Sequence, residues 1–242
     1  MPCLPAGRRP RAVLFDLDGT LLNCERAHAR LRKTLCEMMG LDAEKMRSGG
    51  RVISELFREQ GLGEKEYRLY VRLWRLGEAQ VRPRLFWDAN LTFEMLAARG
   101  VMTAIGTNRP ANAYLVKLLR AADLNVRRLS FVLAQDKRPL LARFKLFMAE
   151  GIMLPCPVVP SRHPKPDPRF IEPVRRKLER LPGYPSSVLF VGDTLVDLEF
   201  AKKNGFTFAG TLHGVLKDRA VWEAHGADLI LPRLRDLLKH IE

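Results

Sequence analysis

Short apolar runs recur along the chain between stretches of helical period. Residues 13–15, 101–105, 130–134, 188–191, 206–209 and 229–231 are largely hydrophobic, and Gly106 and Gly192 close two of these runs. Runs this short, without polar alternation, predict strands buried on both faces. Segments with helical spacing lie between them, at 91–99, 111–121, 169–181, 195–204 and 221–224. Strands alternating with helices predict an α/β fold, a doubly wound (Rossmann-like) parallel sheet covered on both sides.

Residues 23–86 break this alternation. No strand pattern stands out there, and 25–39, 52–60 and 64–80 read as amphipathic helices punctuated by Gly40, Gly49-Gly50, Gly61 and Gly63. The expected organisation is an α/β core built from 1–22 and 87–242, with a helical unit inserted at 23–86. Within that unit Leu69, Leu73 and Leu76, with Trp74, are expected to form its core rather than a binding surface. The stretch GIMLPCPVVPSRHPKPDP, residues 151–168, is rich in proline and is expected to be an extended loop.

Composition adds few constraints. The chain has 242 residues, of which 47% are hydrophobic, enough for a packed core. No apolar run is long enough to cross a bilayer. The basic start MPCLPAGRRPRA lacks the apolar region of a signal peptide. Cys3, Cys24, Cys36 and Cys156 show no C-x-x-C or zinc-finger spacing, so reduced thiols in a cytoplasmic protein are expected.

The net charge of +14 is uneven: residues 91–165 hold 12 basic and 4 acidic side chains, whereas 166–242 hold 12 and 11. A positive field of this kind either draws in an anionic substrate or is a solvated arginine-rich surface. No nucleic-acid-binding motif accompanies it, so a nucleic-acid partner is not expected.

The residues that follow the strands carry the chemistry. After the first come Asp16, Asp18, Gly19 and Thr20; after the second, Thr107, Asn108 and Arg109; in the proline-rich loop, Lys165; after VLFV, Gly192, Asp193, Thr194 and Asp197. A parallel sheet gathers ligands at the carboxyl ends of its strands. One hydroxyl, one ammonium and four carboxylates gathered there suit phosphoryl transfer. A carboxylate nucleophile forms an acyl phosphate. A second carboxylate two residues on points to the same side and moves protons. A divalent cation gathers the carboxylates, and a hydroxyl and an ammonium stabilise the transferring oxygens.

FDLDGT, IGTN, the lysine of HPKPDP and GDTLVD resemble the four ordered motifs of the haloacid dehalogenase superfamily, closest to its phosphoglycolate phosphatase-like branch. The resemblance covers 12–22 and about 88–242, with one interruption, and implies that the helical insert is a cap domain. It implies Asp16 as nucleophile and Asp18 as general acid/base. Thr107, Asn108 and Lys165 would bind phosphate, and Lys165 would also orient the nucleophile. It implies Mg2+ held by Asp16, the Asp18 backbone carbonyl and Asp193, with Asp197 supporting the metal. Asp18 favours phosphoester chemistry, because the dehalogenating and phosphonate-cleaving members lack a carboxylate there. The implied activity is hydrolysis of a small phosphorylated metabolite. A sugar-phosphate mutase of the same fold and a basic nucleic-acid-associated protein retaining the fold are the alternatives. Oligomeric state is left open, as monomer or homodimer.

Three places depart from the family pattern or extend it. Trp87-Asp88 stands where the cap usually returns through a proline-glycine turn, and Asp88 is expected to cap the next helix. From Thr107 to Lys165 is 58 positions, longer than the resemblance implies. The excess falls at 137–163, where 140–148 could form an extra helix and Lys137, Arg138, Arg143, Lys145 and Arg162 add positive charge. His163 is a candidate for substrate contact by proximity to Lys165. Ser48-Gly49-Gly50-Arg51 lies between expected helices of the cap, and Arg51 is the candidate specificity residue.

Overall fold

The computed structural model describes residues 9–46, 53–78, 80–136 and 154–241. Arg51 and most of the 137–163 segment lie outside these residues, and so does Cys3.

Seven strands form one parallel sheet. They are β1 (Ala12–Phe15), β4 (Met102–Pro110), β5 (Val132–Gln135), β6 (Val158–Ser161), β7 (Val188–Gly192), β8 (Thr207–Thr211) and β9 (Leu229–Leu231), in the order β6-β5-β4-β1-β7-β8-β9. Each neighbouring pair is parallel, and β1 is central, with Phe15 level with Ile105 of β4 and Val191 of β7. The chain builds outward from β1 to β6, then returns to β7 on the other side. The reversal at β1 is the topological switch point, where sheets of this kind open a crevice.

All four residues of β1 are buried, which explains the absence of polar alternation. Its side chains part by twos. Val13 and Phe15 join one apolar layer with Phe93, Leu115 and Leu237; Ala12 and Leu14 join the other with Phe170, Phe190, Phe200 and Trp222. Helices α4 (Ala89–Ala98) and α5 (Ala113–Ala121) contribute to the first layer, and α7 (Leu195–Lys203) and α8 (Arg219–Ala224) to the second.

The helical stretch after β1 forms α1 (Glu25–Met39), α2 (Ile53–Glu59) and α3 (Glu64–Glu78). They share an apolar cluster of their own: Leu35, Cys36, Met46, Leu56, Phe57 and Tyr70. The ends of this segment meet in a two-residue antiparallel ladder, β2 (Leu22–Asn23) with β3 (Arg84–Leu85), which pairs Leu22 with Leu85.

The structure corrects the sequence reading in several places. The β2–β3 ladder falls where no strand was expected, because two residues carry no periodicity. The proline-rich stretch is not all loop: Val158–Ser161 is a strand, and Pro160 is accommodated because β6 is the edge of the sheet. The helix expected at 169–181 is a 3-10 helix (Pro168–Val174) followed by one turn, α6 (Arg175–Leu178). Pro173 inside it lacks the N–H that a continuous α-helix needs. Leu73 and Trp74 pack against the α1–α3 cluster, but Leu69 and Leu76 are 49% and 61% exposed. Asp88 occupies the N-cap position of α4, yet its carboxylate accepts from the Arg235 N–H at 3.0 Å and so ties α4 to the C-terminal 3-10 helix, Leu234–His240.

Cys24, Cys36 and Cys156 are buried free thiols. Among the described residues no helix is long and apolar enough to cross a membrane.

Candidate active site

Asp16 is the first residue after β1, and its N–H donates to Val191 O at 2.8 Å, which extends the central ladder by one residue. Leu17 turns into the core and Asp18 emerges on the side of Asp16. The chain then reverses at Gly19, whose φ is +79°. A Cβ there would fall 2.0 Å from Asp193 Oδ2, so both the turn and the close approach require glycine.

The ends of β1, β4 and β7 bring the expected residues together. Lys165 is buried and donates from Nζ to Asp16 Oδ1 at 2.7 Å and to Asp197 Oδ1 at 2.6 Å. The Lys165 Nζ also lies 5.0 Å from the Phe190 ring centroid. Burial alone would lower the lysine's pKa, but the two carboxylates overcome it and hold the group protonated.

The other Asp197 oxygen, Oδ2, accepts from Thr194 Oγ1 at 2.6 Å and Thr194 N at 3.2 Å, a capping box at the start of α7. A Cβ on Gly192 would fall 2.4 Å from the Asp197 Cβ, so a side chain there would push Asp197 off the lysine. Asp193 is fully buried; its Oδ2 accepts from the Val215 N–H at 2.8 Å and its Oδ1 from Thr20 Oγ1 at 3.4 Å.

Asp16, Asp193 and Asp197 offer carboxylate oxygens that all lie within 4.8 Å of one another, and all three residues are buried. Burial, opposed by Lys165 and reinforced by Asp197 and Asp18, raises the Asp16 pKa to about 7. Burial and the charges of Asp16 and Asp197 raise Asp193 well above the carboxylate range. Three buried carboxylates with one ammonium among them lack positive charge. Hard oxygen donors in this arrangement fit Mg2+, and Asp16 and Asp193 would hold it.

Thr107 is buried, and its Oγ1 accepts from the Arg109 N–H at 3.1 Å. The Asn108 side chain spans to the Lys165 main chain. Its Oδ1 accepts from Lys165 N at 2.8 Å and its Nδ2 donates to Lys165 O at 3.1 Å. This amide therefore fixes the loop that delivers the lysine. His163 faces Asp167, Nδ1 to Oδ2 at 3.5 Å, and does not line the cleft.

Two contributors were not assigned roles from the sequence. The buried Arg109 binds Asp18 through two bonds, and its Nη2 also lies 3.1 Å from Glu78 Oε1 at the end of α3. Burial would raise the Asp18 pKa, but the guanidinium outweighs it and holds the carboxyl below its ordinary value. Glu78 is in turn beside His28 Nε2 at 3.5 Å and the Trp74 indole, and its main-chain carbonyl accepts from Tyr114 Oη at 2.6 Å. The basic residue after Thr107-Asn108 was a visible signal for Arg109. Nothing in the sequence marks Glu78.

These groups line one cleft of about 460 Å³. Asp16, Asp18, Thr107, Lys165 and Asp193 form its floor, and α3 supplies the facing wall.

The model of the haloacid dehalogenase-like hydrolases matches residues 10–205, and the chain belongs to that family. Its relatives include a phosphoglycolate phosphatase of Nitrosospira multiformis, 28% identical over 96% of this chain and 96% of that protein. An N-acetylmuramic acid 6-phosphate phosphatase of Pseudomonas aeruginosa is likewise 28% identical, over 95% of this chain and 94% of its own length. Among solved structures, a haloacid dehalogenase-like hydrolase from Streptococcus pneumoniae shares the fold with a TM-score of 0.71 at 17% identity, covering 96% of this chain and 99% of that one. The chain is thus an enzyme of the hydrolase class, and its relatives matched over nearly their full length include phosphatases and a putative pyrophosphatase of Clostridium perfringens, 23% identical over 96% of this chain and 97% of that protein.

Proposed function

We propose that this enzyme is a magnesium-dependent phosphatase that hydrolyses a small phosphomonoester through an aspartyl phosphate on Asp16. The observation that carries this reading is the Lys165 ammonium held between Asp16 and Asp197 beside buried Asp193. It leaves one Asp16 oxygen, Oδ2, without a contact to the lysine, and it places a fixed cation where a phosphate would arrive.

Asp16 attacks phosphorus with one carboxylate oxygen while the bond from phosphorus to the ester oxygen breaks. Asp18 gives its proton to the departing oxygen. Water then attacks the acyl phosphate, Asp18 takes the water's proton, and inorganic phosphate and the Asp16 carboxylate are regenerated. The Arg109 contact favours the ionised form of Asp18, the form this second step needs. The first step therefore proceeds from the minor protonated form of Asp18, which the proton taken from water in the second step restores. Thr107 and Lys165 donate to the non-bridging oxygens, and Asn108 keeps Lys165 in place. Magnesium, bound by Asp16, Asp193 and the Asp18 carbonyl with Asp197 in support, would neutralise charge on the phosphoryl group.

Residues 23–86 act as a cap over this floor, excluding water while the acyl phosphate forms. The pairing of β2 with β3 makes a compact two-strand connection between cap and core. The test is phosphate release with magnesium across a panel of phosphomonoesters. Release abolished by EDTA and by Asp16→Asn supports the reading; release that persists in Asp16→Asn refutes it.

A further inference from the structure

The wall of the cleft facing the catalytic floor is aromatic and apolar. Tyr67, Tyr70, Val71, Trp74 and Glu78 recur on α3 at helical spacing, and all five line the cleft. The rings support one another. Phe57 meets Tyr67 at 5.8 Å and Tyr70 at 5.3 Å between centroids, and Tyr70 stacks on Trp74 at 6.0 Å with an interplanar angle of 26°. Trp74 is held further by the His28 ring, whose centroid lies 5.3 Å away. This is a preorganised surface rather than a set of mobile side chains.

The charge of the cleft points the same way. Although the chain carries +14, the described residues lining the cleft include five carboxylates and three cations. Arg109 is taken up by Asp18 and Glu78, and Lys165 by Asp16 and Asp197. Arg75 stands alone on the α3 side of the lining. A divalent cation on the floor would serve the transferring phosphoryl group. Little is left among these residues for a second phosphate or a carboxylate close to the first.

A cavity of about 460 Å³ also exceeds what a phosphoryl group with a two-carbon acid or a second phosphate would fill. Planar rings offer a large apolar face and favour flat, carbon-bearing partners.

We infer that Tyr67, Val71 and Trp74 form a leaving-group subsite that takes a ring-bearing alcohol, a sugar or nucleoside ring, rather than a compact second anion such as glycolate or phosphate. This rests on the phosphatase reading and specifies its substrate class. Sugar and nucleoside share the chemistry that the wall recognises: a ring face with polar edges.

The test measures kcat/KM with magnesium for hexose 6-phosphates, N-acetylhexosamine 6-phosphates, nucleoside 5′-monophosphates, phosphoglycolate, glycerol phosphate and pyrophosphate. At least one ring-bearing class is expected to exceed phosphoglycolate and pyrophosphate by about tenfold or more. Which class does so separates sugar from nucleoside. The ratio of ring-bearing to acyclic kcat/KM should fall about fivefold or more in Tyr67→Ala and Trp74→Ala, through KM for the ring-bearing ester, and Trp74→Phe should restore it. The ratio cancels any general loss of folded enzyme. Phosphoglycolate or pyrophosphate as best substrate, or a ratio unmoved by Trp74→Ala, overturns the subsite and leaves the phosphatase intact. No phosphate release from any ester overturns both.

Discussion

Arg109 holds Asp18 with two parallel bonds, Nε to Oδ2 at 2.6 Å and Nη2 to Oδ1 at 2.7 Å. A planar guanidinium fixes both the position and the charge state of the carboxylate it grips, which an ammonium cannot do. Arg109→Lys should therefore lower kcat by about tenfold to a hundredfold with a smaller change in KM. Without the guanidinium the Asp18 pKa rises from its depressed value, and the acidic limb of the kcat profile should move to higher pH. A limb that stays in place would show that Arg109 does not control Asp18.

Lys165 is the charge between Asp16 and Asp197. Its removal leaves two buried carboxylates facing each other with nothing between them. Lys165→Met is expected to lower kcat by about two to three orders of magnitude, and to destabilise the protein by about 3 kcal/mol. Denaturant titration and steady-state kinetics on the same preparation check both.

Metal binding should be linked to pH through Asp16. In the folded protein this carboxyl keeps its proton up to about 7, whereas its ordinary value is 3.8. Because the folded pKa is raised, the stability it contributes is complete below 3.8 and is lost as pH rises through 7. Magnesium takes the proton's place. The rise in Tm on adding magnesium should therefore be larger at about pH 8 than at about pH 5.5. An equal rise at both would mean that the ion does not sit on Asp16.

Gly19→Ala tests the turn beneath Asp193. The backbone there has a positive φ and the added methyl would meet the Asp193 carboxylate. A loss of about 1–2 kcal/mol is expected from the backbone, with magnesium affinity falling about tenfold or more as Asp193 shifts. Calorimetric titration of the ion reads the second effect directly.

Glu78 ties α3 to the core through Arg109 at 3.1 Å, while Tyr114 holds the same turn by its carbonyl. Glu78→Gln should loosen the end of α3, seen as faster amide exchange at 70–78, and lower kcat severalfold with β1 and β7 amides unaffected.

The sheet could be read from the sequence because its central strands are buried on both faces and therefore uninterrupted by polar residues. β1 and β7 are the clearest cases, and the motif residues sit at their ends. The bounds of α1 were legible for a related reason: its apolar stripe ends at Gly40, where the backbone turns left-handed. β6 was hidden by its prolines, which an edge strand tolerates. The carboxylates stood out because each follows a strand, and Lys165 because HPKPDP resembles a family motif. Glu78 did not, and Trp74 was read as core of the helical unit although it also lines the cleft, since the ends that bring α3 against β4 are joined by long-range packing and not by any local pattern. The same holds for Asp88, whose carboxylate reaches across 147 positions to Arg235.

The most direct measurement is to trap the phosphoenzyme. The enzyme would be mixed with magnesium and a phosphate-labelled substrate from the panel, then quenched in acid within one turnover, and the labelled peptide mapped. Label is expected on the peptide containing Asp16, removable by hydroxylamine and absent in Asp16→Asn. Turnover without label on Asp16, or with label on another residue, would contradict the aspartyl phosphate.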